Sequence, residues 1–163
     1  MRAGSITRAV VTGIVKGSSG NPGRIMGLTD SQSHEGSVDM NTRFGIFGIA
    51  NCETISCAEP MLVAEPEEVH RGRAIILSNI SGEGVRQYDI EIVKLYGQNY
   101  DGRNMSIKVV DDELIKMTGG IIQGMSGSPI IQDGKLVGAV THVLVGDPTK
   151  GYGIYISNML AAA

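Results

Sequence analysis

The sequence predicts an all-β domain that closes into a barrel, and three observations carry this. Among 163 residues there are 23 glycines and no tryptophan, and the apolar stretches are short and rich in Val and Ile. That composition marks many short strands joined by tight turns rather than long helices. Gln87-Tyr-Asp-Ile-Glu-Ile-Val-Lys94 alternates polar and apolar residues with period two, the pattern of a half-buried strand. Asp133-Gly134 sits between two apolar runs, the strongest short-range signal for a hairpin. One domain spanning 1–163 is expected, large enough to bury a core of its own.

Taken in order, residues 6–15 form the first candidate strand. Gly17-Ser-Ser-Gly-Asn-Pro-Gly23 follows; it lacks the Gly-Lys-Ser/Thr ending of a phosphate-binding loop and reads as a tight inter-strand turn. A strand over 44–49 precedes Cys52 and Cys57. Two cysteines with no paired-histidine motif are too few for a structural zinc site, so a local disulfide and free thiols both remain open. After a charged connection around Glu65-Pro-Glu-Glu-Val69, strands are predicted over 73–80, 88–96 and 105–110. Residues 112–117 read as a short helical turn, followed by strands over 128–132, 136–143 and 153–157. Residues 159–163 are the start of a terminal helix or a frayed end, and no internal repeat is apparent.

The chemistry concentrates in Gly124-Met125-Ser126-Gly127-Ser128-Pro129, which leads into Ile130-Ile131. This reads as the nucleophile loop of a serine peptidase built on a β-barrel. A serine hydroxyl is a weak nucleophile, so such a loop surrounds it with backbone N–H groups that bind the oxyanion formed on attack. Gly124 lets the chain turn tightly and aim its N–H inward beside that of Ser126, and Gly127 leaves space for a peptide. The Gly-x-Ser-x-Gly elbow of α/β-hydrolases does not fit, because position 128 is serine and no helix follows. A plain Gly/Ser turn entering a strand is the structural alternative. The flanks argue against it: strand, tight turn, strand, loop and a Gly-aromatic strand at Gly151-Tyr-Gly-Ile-Tyr-Ile156 follow in the order found in trypsin-like peptidases.

More specifically, Thr118-Gly-Gly-Ile-Ile-Gln-Gly-Met-Ser-Gly-Ser-Pro-Ile-Ile131 and Gly138-Ala-Val-Thr-His-Val143 resemble the SpoIVB peptidase family of spore-forming bacteria. So do Asp147-Pro-Thr-Lys-Gly-Tyr-Gly153, Gly17–Gly23 and Phe44-Gly-Ile-Phe-Gly48, and the likeness runs from near residue 5 to Leu160. The resemblance implies a trypsin-like double β-barrel, with room for its N-terminal side to be incomplete, and a short helix before the nucleophile loop. It implies a secreted serine endopeptidase of sporulation, acting between forespore and mother cell. Members cleave a regulatory membrane protein, which releases an intramembrane protease that matures a sigma factor, and they also cut themselves. They carry a membrane anchor and a PDZ domain ahead of the peptidase domain.

The resemblance places the catalytic aspartate at Asp111, fifteen residues before Ser126. Such an aspartate holds the base imidazole in the correct tautomer. Helix capping is the competing role for Asp111, one that Asp112 could take instead. The family's general-base histidine lies in a motif upstream of Gly4-Ser-Ile-Thr-Arg-Ala-Val-Val11, and no matching motif stands in this sequence. His34 and His70 lie in polar or charged connections and His142 lies within a strand, so none is assigned as the base. Very weak or no hydrolysis is therefore expected of this chain alone. An unpaired barrel edge would invite dimerisation.

For substrate binding, the strand after the nucleophile hairpin pairs with peptide backbone in trypsin-like enzymes, which singles out Thr141, His142 and Val143, with Gly153 on the adjoining strand. Gly120, six residues before the serine, falls at the base of the primary pocket. With no carboxylate there, no strong demand for Lys or Arg is expected.

A net charge of −3 without a basic cluster argues against nucleic-acid binding as the main activity. No signal peptide and no bilayer-length apolar run is present, so export and membrane contact are expected to depend on an upstream segment. No metal or organic cofactor is expected; the partner is a protein or peptide substrate. A reading from a different class stays open: a non-catalytic barrel that holds a peptide strand or partner subunit.

Overall fold

The computed structural model describes residues 4–53, 60–97 and 102–163. Its C-terminal part is a closed barrel of six antiparallel strands in the order β10-β11-β8-β7-β6-β9. These are β6 (Gly72–Ser78), β7 (Arg86–Leu95), β8 (Met105–Val109), β9 (Pro129–Gln132), β10 (Lys135–Val143) and β11 (Lys150–Tyr155). Alternation drives the closure. Ile76, Ile90, Ile92, Met105, Ile107 and Ile130 all point inward and are fully buried, while Glu91 and Lys108 face outward. The β9–β10 hairpin turns at Asp133-Gly134, both residues with positive φ (51° and 76°), as a two-residue primed turn requires.

The N-terminal part is organised differently. β1 (Gly4–Ile6), β4 (Gly36–Thr42) and β5 (Gly45–Ala50) form a three-stranded sheet, and β2 (Ala9–Val15) pairs only with β3 (Arg24–Thr29). These two sheets do not close into a second barrel among the described residues. Consequently Val10 (61% exposed), Leu28 (70%) and Ile49 (71%) lie at the surface. The hydrophobic core runs from Ala64 to Tyr155, with Ile14 and Ile25 reaching it from the N-terminal part.

Several expectations are revised. The single strand over 6–15 divides into β1 and β2. The strands β3 and β4 were not predicted, because neither shows clean alternation: both mix Gly, Met and polar residues. The last strand begins earlier and ends earlier than expected, since Ile156–Leu160 forms the helix α2. The helical turn before the nucleophile loop is α1 (Asp112–Thr118), but its N-cap is Asp111, not Asp112.

α1 is well punctuated. The Asp111 side chain accepts the N–H of Leu114 at 2.8 Å, and Gly119 ends the helix in the left-handed region (φ 80°). Leu114 is fully buried and anchors the helix to the barrel.

Because Ile90 sits fully buried in the middle of β7, Ile90→Ala is expected to lower the unfolding free energy by about 2–5 kcal/mol in a urea titration, through lost burial plus the cavity left behind.

Candidate active site

Ser126 lies on an exposed turn between α1 and β9. The turn is held from below: Met125 is fully buried, its N–H donates to the Ile122 carbonyl (3.1 Å), and its sulfur accepts the Ile122 N–H (3.4 Å). It is held from the side by β10, where Gly127 N donates to Val140 O (2.8 Å) and Val140 N to Ser128 O (2.9 Å). Ser128 Oγ donates to Ser78 Oγ beneath it (3.3 Å).

The Ser128 N–H donates to Met125 O (3.0 Å), so the amides of Met125, Gly127 and Ser128 are all used. Among the described residues nothing accepts the N–H of Gly124 or of Ser126. Gly124 has φ of 102°, a backbone state that a side chain would strain, and Ile25 packs where its Cβ would stand. An exposed turn with two unspent amides around a serine is a suitable cradle for an anionic oxygen.

β10 carries an irregularity opposite the serine. Its register with β11 shifts between Val140 and His142, so Thr141 is the extra residue of a bulge. Freed from the ladder, the Thr141 carbonyl accepts the Ser126 hydroxyl at 3.0 Å, and Thr141 Oγ1 donates to Tyr152 O (3.2 Å). A cavity of roughly 200 Å³ opens here, walled by Ser126, Thr141 and His142 with Phe44 and Gly45 of the β4–β5 turn and Met159 of α2.

The structure brings together some of the residues singled out from sequence and not others. Ser126, Thr141 and His142 share the cavity, with Gly124 two residues before the serine. Gly120 is buried with φ of 131°, and a Cβ on it would meet the Pro148 carbonyl oxygen at 2.2 Å; it packs against backbone and is not a wall of this cavity. Val143 packs on the barrel core. Gly153 is buried beside Ile130 and Met105, and its neighbour Ile154 is the wall residue. Asp111 is likewise absent from the walls. Its Oδ1 accepts Leu114 N–H and its Oδ2 accepts Asp89 N–H (3.2 Å).

The three histidines separate cleanly. His34 lines another cavity with Cys52, on the far end of β4 and β5 from their turn. Cys52 is an exposed free thiol, while Cys57 lies outside the described residues. His70 is tied at the β9–β10 turn, with Nδ1 on the Arg71 carbonyl (3.0 Å) and Nε2 on Asp133 Oδ2 (2.8 Å). Only the imidazolium can donate through both nitrogens, so the Arg71 carbonyl first and the Asp133 carboxylate second hold its pKa above the ordinary imidazole value. Among the described residues no group of three or more His, Cys, Asp or Glu is placed to hold a metal.

The walls from the β4–β5 turn and from α2 escaped sequence reading. They are remote in the chain; Phe44 and Gly45 stand in a segment that carries the family likeness but no reactive group, and Met159 stands in none.

The closed antiparallel barrel thus bears a Gly-x-Ser-Gly turn whose serine walls a cavity shared with the β4–β5 turn and α2. Residues 1–160 match the family described as SpoIVB peptidase S55, and the chain belongs to that family. No curated protein matches it. Two solved structures are similar in fold. The active form of the Rv3671c protease from M. tuberculosis has a TM-score of 0.55 at 16% identity, covering 85% of this chain and 61% of that one. The inactive form of the Rv3671c protease has a TM-score of 0.53 at 16% identity, covering 98% of this chain and 84% of that one. The chain therefore spans less than two thirds of the active-form structure.

The raised pKa of His70 gives a signed expectation. A group whose folded pKa is raised stabilises the fold fully below its unfolded pKa and loses that contribution as pH rises through the folded value. The Tm advantage of the unchanged protein over Asp133→Asn is thus expected at about pH 5.5 and should vanish by about pH 8.5; a thermal melt series of both proteins checks it.

Proposed function

We propose that this chain is the peptidase domain of a serine endopeptidase, with Ser126 as nucleophile and the N–H groups of Gly124 and Ser126 as the oxyanion cradle. The observation that carries the reading is that the N–H groups of Gly124 and of Ser126 are unspent at a serine that walls a cavity. In the resting state the hydroxyl donates to Thr141 O, an acceptor that cannot take up its proton. Attack on a peptide carbonyl therefore begins with rotation of the Ser126 side chain from that carbonyl toward the cavity. Its proton passes to a general base, and the developing alkoxide of the scissile carbonyl is received by the two amides. The amine leaves with a proton from the same base, and water then releases the acyl group from Ser126.

The family resemblance supplies that base as a histidine upstream of the segment at residues 4–11. We take the substrate backbone to lie along β10 from Thr141, with His142 beside the scissile bond. The finer reading follows the family: signalling in sporulation, in the space between forespore and mother cell. There the peptidase would cut a regulatory membrane protein and itself, with a PDZ domain and membrane anchor ahead of it in the polypeptide.

The decisive measurement is reaction with a fluorophosphonate probe, read by intact mass, on this chain and on a form extended upstream. Modification of the extended form that vanishes in Ser126→Ala is expected, with Tm changed by no more than about 2 °C because the side chain is exposed. Peptide turnover should fall by at least about 10⁴-fold in the same variant. Turnover retained by Ser126→Ala rules the reading out. Peptide binding without turnover or labelling in either form replaces it with a non-catalytic strand-binding barrel.

A further inference from the structure

We infer that Arg103, stacked on Tyr152 beside His142, is the specificity residue of a subsite for an acidic side chain of the peptide substrate. The inference rests on the serine-peptidase reading above and names its substrate class. The placement starts from the backbone of β10. Leu144 N–H donates to Lys150 O (2.9 Å) and His142 stands opposite Tyr152, so residues 142 and 144 turn their peptide groups toward β11. Accordingly, a Cβ on Gly151 would meet the His142 carbonyl oxygen at 2.5 Å. In an antiparallel ladder the alternate residues face the opposite edge. On that edge Thr141 O accepts the Ser126 hydroxyl, and the pairing of β10 with β9 ends at Ala139. Thr141 and Val143 therefore offer backbone on which an extended peptide can add as a strand, leading away from Ser126.

Side chains at this level form a row across the outer face of the barrel. The strand registers place His142 of β10, Tyr152 of β11, Ser106 of β8 and Lys94 of β7 side by side. No carboxylate stands in the row, although the chain carries a net charge of −3. The Arg103 guanidinium lies over the Tyr152 ring, 5.2 Å from its centroid. Its backbone is fixed there by the next residue: Asn104 N–H donates to Gly153 O (2.9 Å), and the buried Asn104 side chain accepts the Tyr155 N–H (3.1 Å). Arg103 is exposed, and among the described residues it makes no ion pair. Asp147, the carboxylate of the β10–β11 loop, is engaged by Lys150 Nζ (2.9 Å) and Thr149 Oγ1 (2.6 Å). The described walls of the cavity at Ser126 include Arg43 and no carboxylate.

Stacking on a ring restrains the flexible arginine stem and leaves the N–H edge of the guanidinium open. That planar fork matches both oxygens of a carboxylate. His142, exposed in the same row, adds a ring N–H donor. The reach is adequate. A peptide paired to β10 lies about 10 Å from the backbone of Tyr152, two strand spacings, which a glutamate and an arginine side chain span together. Val143 lies two residues beyond Thr141, which puts the acidic position about two to four residues from the scissile bond at about 3.3 Å per residue. Lys94, two strands further on, is about 19 Å from the peptide and out of reach.

The probes are decapeptides captured from a randomised mixture by the upstream-extended form carrying Ser126→Ala, then remade with Glu, Gln or Lys at each position. Binding is read by fluorescence anisotropy on that form, and kcat/KM on the extended form with Ser126 intact. Glu is expected to bind about 3–20-fold tighter than Gln at one position about two to four residues from the scissile bond, with kcat/KM following. Arg103→Ala should reduce that preference to less than about twofold, and Arg103→Glu should reverse it in favour of Lys. Tyr152→Phe keeps the ring and the preference, whereas Tyr152→Leu loses most of it. Lys94→Ala makes the same change of charge out of reach and leaves the preference intact. Fluorophosphonate labelling of Ser126 should stay within about twofold in all five variants, since the substitutions lie at the surface. No preference for Glu over Gln, a preference that survives Arg103→Ala, or capture of no peptide overturns the inference. An equal loss in Lys94→Ala and Arg103→Ala overturns it too, because it marks a diffuse field and not a subsite. Absence of labelling in every form ends the peptidase reading instead, and the binding ratio of Glu to Gln peptides still decides the subsite.

Discussion

The geometry at Ser126 depends on a close approach of backbones that only glycine permits. Gly17 N–H donates to Thr118 O, Ile25 N–H to Gln123 O and Gln123 N–H to Gly23 O, at 2.8–2.9 Å. These bonds lace the loop between β2 and β3 to the segment between α1 and the serine. A Cβ on Gly23 would meet Gly17 N at 2.4 Å, and one on Gly119 would meet Gly17 O at 2.3 Å. The N-terminal part thus acts as a clamp on the segment before Ser126, although it contributes little to the core. Gly17–Gly23 is a tight inter-strand turn, as its residues predict, and it has the second task of holding the segment before Ser126.

The clamp works together with an uneven distribution of burial. Most fully buried side chains belong to the strands of the closed barrel, with Leu114, Ile122 and Met125 of the segment before the serine packed among them, so the strands form a rigid frame. The N-terminal sheets keep large apolar residues at the surface and are attached through backbone hydrogen bonds and through Ile14 and Ile25. The serine lies on the turn between a rigid wall, β10, and the β4–β5 turn with α2. That location explains why the cavity draws on segments more than a hundred residues apart. Sites placed between structural units in this way are common, since each unit can supply groups that the other lacks.

Within the site, the bulge at Thr141 is the local decision that matters most. In a regular ladder its carbonyl would be spent on β11. The shift in register turns it toward Ser126, where it accepts the hydroxyl and holds it at rest. The amides of Gly124 and Ser126 remain unspent among the described residues. The polar groups placed around Ser126 are therefore backbone groups for the most part, set by conformation and not by side-chain identity.

That division explains what could be read from residues alone. Alternation in β7, the Asp133-Gly134 turn and the Val/Ile runs determined the six strands of the closed barrel, because inward packing leaves a period-two imprint. The Gly124–Pro129 motif marks the tight turn that exposes Ser126, since tight backbone there demands glycine at set distances from a serine. β3 and β4 left no such imprint, having few buried side chains. Only the tertiary structure decided which distant residues meet at Ser126. Phe44, Gly45 and Met159 arrive there, Gly120, Val143 and Gly153 are turned to packing, and Asp111 is bound to backbone. The physical reason is that a motif encodes the conformation of its own few residues. Proximity between remote segments is set by how sheets close and which backbones can touch, and no single segment of the chain records that.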